Sequence, residues 1–204
     1  MPQKKRPRKR PVKCAACPKK VCHELGVDCF EECADPRGAL SVEDRRVLLC
    51  ASEIEAEHYC RLTRVEEIIE FSKRMGYERL GLAFCIGLAN EARLLDQVLS
   101  RSFEVYSVCC KACGLDKREL GLKKIRGEGM DETMCNPVGQ AMLLNAKDTQ
   151  LNLILGLCIG HDLLFTKHSR APVSTFAVKD RVLAHNPLGA LYSRYHRAPR
   201  LGLD

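Results

Sequence analysis

The sequence predicts an α/β protein: a three-layer, mostly parallel sheet of about four strands with flanking helices, preceded by a small cysteine-rich metal module. Three observations lead there. From residue 63 onward, short apolar runs of strand length alternate with segments of helical period. The runs Leu80–Ile86 and Leu151–Leu157 are nearly continuous in apolar residues, as strands covered on both faces are. Each run ends with a chemically capable side chain, Cys85 or Cys158, the pattern of loops at the carboxyl ends of parallel strands.

The elements follow in order. Ser41 and Asp44 have capping-box spacing, and Val47, Leu48, Ala51, Ile54 and Tyr59 recur near helical period, so residues 41–60 read as a helix. Thr63 and Glu66 repeat that signature for a second helix that Gly76 stops. A strand at 80–86, a helix at about 90–100 and a strand at 103–108 come next. Residues 111–135 form a long, polar, glycine-containing connection, a length at which loops usually carry function, and they read as a lid or site loop. Asn136 and Pro137 provide a cap and a first-turn proline for a helix to about Asn145. Strands at 151–157 and 173–178 follow, with a last short helix near His185-Asn186-Pro187. Helices between successive strands mean crossover connections and a doubly wound sheet.

At 204 residues the chain has room for one full domain and a short appendage. It divides into a disordered basic tail at 1–13, a cysteine-rich metal-binding module at 14–38 and an α/β domain at 39–204. The net charge of +7 comes from the tail, whose seven Lys or Arg stand against no acid, so the remainder is balanced. Such a tail reads first as a solubilising terminus. Its second reading is weak, non-specific nucleic-acid binding through residues 4–13 by counterion release, with no interleaved aromatics to suggest stacking. No apolar run is long enough to span a membrane and no apolar segment follows the basic start, so the expectation is a cytoplasmic protein.

In that compartment 13 cysteines point to metal ligands or redox thiols before disulfides. Cys85, the pair Cys109 and Cys110, Cys158 with His161 and Asp162, and Asp180 each follow one strand, and Cys135 precedes a capped helix. A shared site is expected from Cys85, Cys109 or Cys110, Cys135 and Cys158, with a small-molecule substrate entering above the sheet. Alternation sends Cys109 and Cys110 to opposite sides, so one of them faces the crevice, and Cys113 is a substitute for either. Thiolates drawn singly from several loops suit an iron-sulfur cluster, whereas His161 as a nitrogen ligand points toward zinc; the spacing leaves both open. His161 and Asp162 also read as a general base with its orienting carboxylate, or as a helix-capping pair. The bland alternative is a set of buried, inert thiols.

The second constellation is Cys14, Cys17, Cys22 and Cys29, with Cys33 beyond and His23 as a substitute ligand. The segment has too little apolar material to fold alone, so it reads as a metal-binding site of open identity. Cys50 and Cys60 read as packing residues or spare thiols on a helix. No Walker loop, Gly-x-Gly-x-x-Gly, Gly-x-Ser-x-Gly or His-Glu-x-x-His occurs, so nucleotide binding and serine hydrolysis have no motif behind them.

The runs Arg64-Val-Glu-Glu-Ile-Ile-Glu-Phe71, Gly81-Leu-Ala-Phe-Cys-Ile-Gly87, Ser107-Val-Cys-Cys-Lys111, Cys135-Asn-Pro-Val-Gly-Gln140, Gly156-Leu-Cys-Ile-Gly-His-Asp162 and Lys179-Asp-Arg-Val-Leu-Ala-His-Asn-Pro187 together carry a resemblance. From about Cys14 to Tyr195 the chain resembles the uncharacterised metal-binding family filed as domain of unknown function 1847. The resemblance implies an N-terminal cysteine cluster, a metal-binding role and a distribution among mainly anaerobic microbes, which suits an iron-sulfur centre. It implies no established reaction. The expected function is a metal-binding protein of redox or sulfur chemistry, with a non-enzymatic zinc-binding structural or sensing module as the alternative and a nucleic-acid-associated protein as a further one.

Overall fold

The computed structural model describes residues 12–30 and 35–203. The basic stretch Lys4–Arg10 and Cys33 lie outside the described residues. The chain divides into two compact units, one through Leu48 and one from Leu49 onward.

The first unit holds short helices α1 (Val21–Glu24) and α2 (Pro36–Ala39), the latter capped by the Asp35 carboxylate, which accepts the Arg37 N–H. Helix α3 spans Val42–His58; Ser41 Oγ accepts the Asp44 N–H at 3.1 Å and donates to the Asp44 carboxylate at 2.6 Å.

In the second unit, α4 (Arg64–Arg74) opens on Thr63, whose N–H and hydroxyl both donate to Glu66 at 2.7 Å, and Gly76 follows it with φ of 67°. Then come β1 (Arg79–Phe84), α5 (Ala89–Leu99), β2 (Glu104–Cys109), α6 (Pro137–Asn145), β3 (Leu151–Leu155), α7 (His161–His168) and β4 (Val173–Ala177). Two short helices close the chain, α8 (Gly189–Tyr192) and α9 (Arg194–Leu201), where the sequence suggested one.

All four strands are parallel, in the order β2-β1-β3-β4. β1 and β3 are central and buried on both faces, which is why their sequences are nearly continuous apolar runs; β2 and β4 lie at the edges and are only partly buried. The one polar residue of β3, Asn152, is fully buried and saturated: its Oδ1 accepts the Thr149 hydroxyl and its Nδ2 donates to Ser169 Oγ, both at 2.8 Å.

Leu80, Leu82, Leu151, Leu153 and Leu155 pack with Ile68 of α4 and with Ala92, Leu95 and Leu99 of α5. Ala83 and Ile154 pack the opposite way, with Ala141 and Leu144 of α6 and Phe165 of α7. These are the three layers. The chain turns from β1 toward β2 on one side and toward β3 and β4 on the other, and the change of direction places the intervening helices on opposite faces. β1 and β3 are therefore the switch point of the sheet, where loops part and leave a crevice.

Candidate functional site

The crevice is built by strand ends. Cys85 follows β1 directly and is held by its N–H donating to Leu155 O at 3.1 Å. Gly156, with φ of 68°, ends β3 two residues earlier than the apolar run suggested, so Cys158 sits in the turn before α7. A Cβ at Gly156 would stand 2.1 Å from Leu88 Cδ1, so glycine is required by both backbone and space. Cys110 lies one residue past β2, its N–H bonded to Phe84 O at 2.8 Å. The Asn136 N–H donates to Cys110 O at 2.8 Å, which sets Cys135 beside Cys110, and the Asn136 side chain caps α6 through the Gly139 N–H.

Gln140, on the first turns of α6, is wholly buried. Its Nε2 donates to Phe84 O at 3.2 Å and Val108 O at 2.7 Å. That amide ties together the ends of the two strands that carry Cys85 and Cys110.

Cys110 is the centre of the thiol set. Its Sγ lies 3.8 Å from Cys135 Sγ, it hydrogen-bonds Cys85, and it accepts the Ile86 N–H at 3.4 Å. It is 1% exposed, while Cys135 and Cys158 are half-buried. The hydrogen bond from Cys110 is the largest influence lowering the thiol pKa of both Cys85 and Cys135, outweighing desolvation. The Gly87 N–H and Lys179 assist at Cys85; Lys111 and His161 assist at Cys135. Cys110 is pushed far up, first by its hydrogen bonds to Cys135 and Cys85 and then by burial.

Three cations line this set. Lys111 Nζ reaches Cys135 Sγ at 3.5 Å while donating to Thr133 O at 2.6 Å. Lys179 bonds Cys85, and Arg181 donates to Cys158 Sγ at 3.1 Å. Asp180 holds the loop bearing the last two by accepting the N–H groups of Val182 and Leu183, and the Asp180 N–H donates to His185 Nδ1 at 3.0 Å. The sequence reading passed over these cations. Their signal was position: Lys111 adjoins Cys110, and Lys179 and Arg181 follow β4 as the cysteines follow the other strands.

Of the remaining expected residues, Cys109 packs at the edge of the α6–α7 core and its sulfur accepts the Lys111 N–H at 3.5 Å, so Cys110 is the member of the pair that meets Cys85 and Cys135. Cys113 is exposed in a turn with φ of 80°. Asp162 Oδ1 accepts the N–H groups of Gly160 and Leu163 within the first turn of α7, whose N-cap position is Gly160. His161 acts on Cys135 through its charge. In the first unit Cys14 and Cys22 are exposed and Cys17 and Cys29 half-buried. Among the described residues no three His, Cys, Asp or Glu side chains stand together as a ready cage for an ion.

Residues 114–134 are a tied loop. Asp116 and Thr133 form a β-bridge at its neck, the Lys117 ammonium pairs with Glu132 at 2.6 Å, and Glu132 also accepts the N–H of Ile125 at 2.7 Å. Those contacts hold the Glu132 carboxyl down to about 2. The neck leads straight into Cys135.

A parallel α/β sheet with a thiol-lined, cation-flanked crevice at its switch point defines the class of protein. The chain belongs to the family described as protein of unknown function (DUF1847), which matches residues 31–176. It is similar to an uncharacterized protein of Methanocaldococcus jannaschii, 51% identical over 187 residues that make up 91% of this chain and 96% of that protein. No solved structure matches the chain. Among the described residues no helix is long and apolar enough to cross a membrane.

Proposed function

We propose that the chain is a cytoplasmic protein of thiolate chemistry, redox or sulfur-handling in kind, working at Cys85, Cys110, Cys135 and Cys158. The observation that carries this is the buried Cys110 sulfur, 3.8 Å from Cys135 Sγ and hydrogen-bonded to Cys85, with Lys111 at Cys135, Lys179 at Cys85 and Arg181 at Cys158. Reactive and ligating cysteines need the thiolate, and electropositive, partly exposed surroundings supply it.

The donor set also suits a soft metal centre, which belongs to the same proposal. Cys85, Cys110, Cys135 and Cys158 would hold it, with the three cations balancing thiolate charge and His161 at the edge. An iron-sulfur cluster would supply electron transfer; zinc would supply a Lewis acid or a structural tie. One observation favours zinc as the second reading: a tetrahedron with bonds of about 2.3 Å has sulfurs about 3.8 Å apart, the Cys110–Cys135 separation. The cysteines at 14, 17, 22, 29 and 33 would be a separate site.

Purification without oxygen, followed by iron, zinc and acid-labile sulfide analysis with a visible spectrum, tests the proposal. Sulfide with broad brown absorption supports a cluster, and colourless stoichiometric zinc supports the second reading. Cys158→Ala should lower the content without abolishing it if two sites exist. The thiolate proposal itself fails if Cys85 and Cys135 alkylate only at the pH of ordinary thiols in metal-free protein. The tail's nucleic-acid reading fails if deletion of residues 1–12 leaves salt-dependent affinity unchanged.

A further inference from the structure

The Cys110 and Cys135 sulfurs are 3.8 Å apart, and the backbones of residues 110 and 136 are joined by a hydrogen bond of 2.8 Å. Side chains so placed reach disulfide geometry by small rotations about their own bonds, without rebuilding the fold. The two differ in access: Cys135 is half-buried beside the exposed Arg181 loop, whereas Cys110 is enclosed behind it. An incoming disulfide therefore meets Cys135 first. Cys110 is left at the distance needed for a second attack.

The charge around them selects the substrate. Lys111, Lys179 and Arg181 present ammonium and guanidinium groups to the sulfurs, while the neighbouring acids Asp162 and Asp180 are turned to backbone N–H groups of their own loops. A disulfide bearing carboxylates is attracted and a cationic one repelled.

We infer that Cys135 and Cys110 are the attacking and resolving thiols of a thiol–disulfide exchange site for small, carboxylate-bearing disulfides. This rests on the thiolate proposal and deepens it. Cys135 Sγ attacks one sulfur of R–S–S–R′, a Cys135–S–R bond forms, the substrate S–S bond breaks, and R′S⁻ leaves with the electron pair. Cys110 Sγ then attacks Cys135 Sγ, the Cys110–Cys135 bond forms, and RS⁻ leaves and takes up the Cys110 proton. Two electrons pass from the protein thiols to the substrate, which ends as two reduced thiols. Arg181 and Lys111 favour the departing thiolates.

The full-length chain, purified without oxygen and treated with chelator, is given limiting 5,5′-dithiobis(2-nitrobenzoate), a dicarboxylate disulfide, and the products are mapped by peptide mass spectrometry. The expected result is two thionitrobenzoates released per reagent and an internal Cys110–Cys135 bond. Cys110→Ser should stop at a stable adduct on Cys135 with one released. Cystamine, a cationic disulfide, should react roughly tenfold more slowly, and Arg181→Ala should narrow that gap. A stable adduct on Cys135 in the unaltered chain, with Cys110 still reduced, overturns the exchange pair while leaving the thiolate proposal standing. If Cys110, Cys135 and Cys158 all stay reduced while exposed Cys14 and Cys22 are modified, both fail together.

Discussion

A single sulfur, that of Cys110, sets the chemistry of its two neighbours, because its hydrogen bonding with Cys85 and Cys135 is the largest influence lowering each of them. Cys110→Ala removes that donor but keeps the small apolar volume, so the Cys85 and Cys135 pKa values should climb back toward the ordinary thiol range. Rates of iodoacetamide labelling at Cys135, followed against pH by peptide mapping, give the check: the midpoint should move up from near 5, where the cationic field alone cannot hold it. No movement would mean that Lys111 and His161 suffice. The identity of the thiols was legible in the sequence, since Cys85, Cys110 and Cys158 stand at the ends of strand-length runs and Cys135 precedes a capped helix. The proton between them was not, because it depends on which of two adjacent cysteines turns inward, and strand alternation offers both. The cations were invisible for a related reason: lysine and arginine after a strand are ordinary surface residues until a fold aims them at something.

At the scale of elements, the two devices that shape the crevice are the Gln140 staple and the tied loop. Gln140 bonds the ends of β1 and β2 from inside the core, and Gln140→Ala should cost about 2–4 kcal/mol, two buried hydrogen bonds and a cavity together. Urea denaturation measures the loss. Labelling of Cys85, now on a loosened strand end, should become faster at the same time. The loop from 114 to 134 depends on Glu132 serving both Lys117 and the backbone of Ile125, so Glu132→Ala should open it while leaving the sheet intact. Limited trypsin digestion reads this out as new cleavage at Lys117, Arg118, Lys123, Lys124 or Arg126, with an unchanged unfolding midpoint for the remainder. Helix and strand positions were readable because their signals are local: Thr63 with Glu66, Asn136 with Pro137, glycine at Gly76. The loop's order was not, since its fastening joins residues 15 apart in sequence through charge rather than through any periodic pattern.

For the whole molecule, the parallel sheet was readable from alternation of element types, whereas the strand order β2-β1-β3-β4 was not; any order in which apolar runs are central fits the pattern. That order is what brings Cys85 and Cys158 to the same crevice, and it gives the fold a pH dependence of stability that sequence alone would not suggest. Unfolded thiols titrate near ~8.5, while folded Cys85 and Cys135 are lowered to about 4 and about 5. Between these limits the unfolded chain holds protons that the folded chain has released. Stability from these two sulfurs is therefore complete above ~8.5 and is lost as pH falls toward 5. Cys110 works in reverse: its folded pKa is raised, so its contribution is complete below ~8.5 and is lost as pH climbs beyond that. The three together place a maximum in stability near the ordinary thiol pKa. Glu132, held at about 2, contributes stability that is complete above the usual carboxylate range and is lost only as pH falls below it, so it leaves this window untouched. Denaturation midpoints of the reduced, metal-free chain should rise from pH 5 to 8 and fall again above 9. In Cys85→Ser with Cys135→Ser the rise should vanish, since the hydroxyls do not titrate there; a rise of equal size in that variant would assign the effect to other groups and remove the thiolates from the crevice.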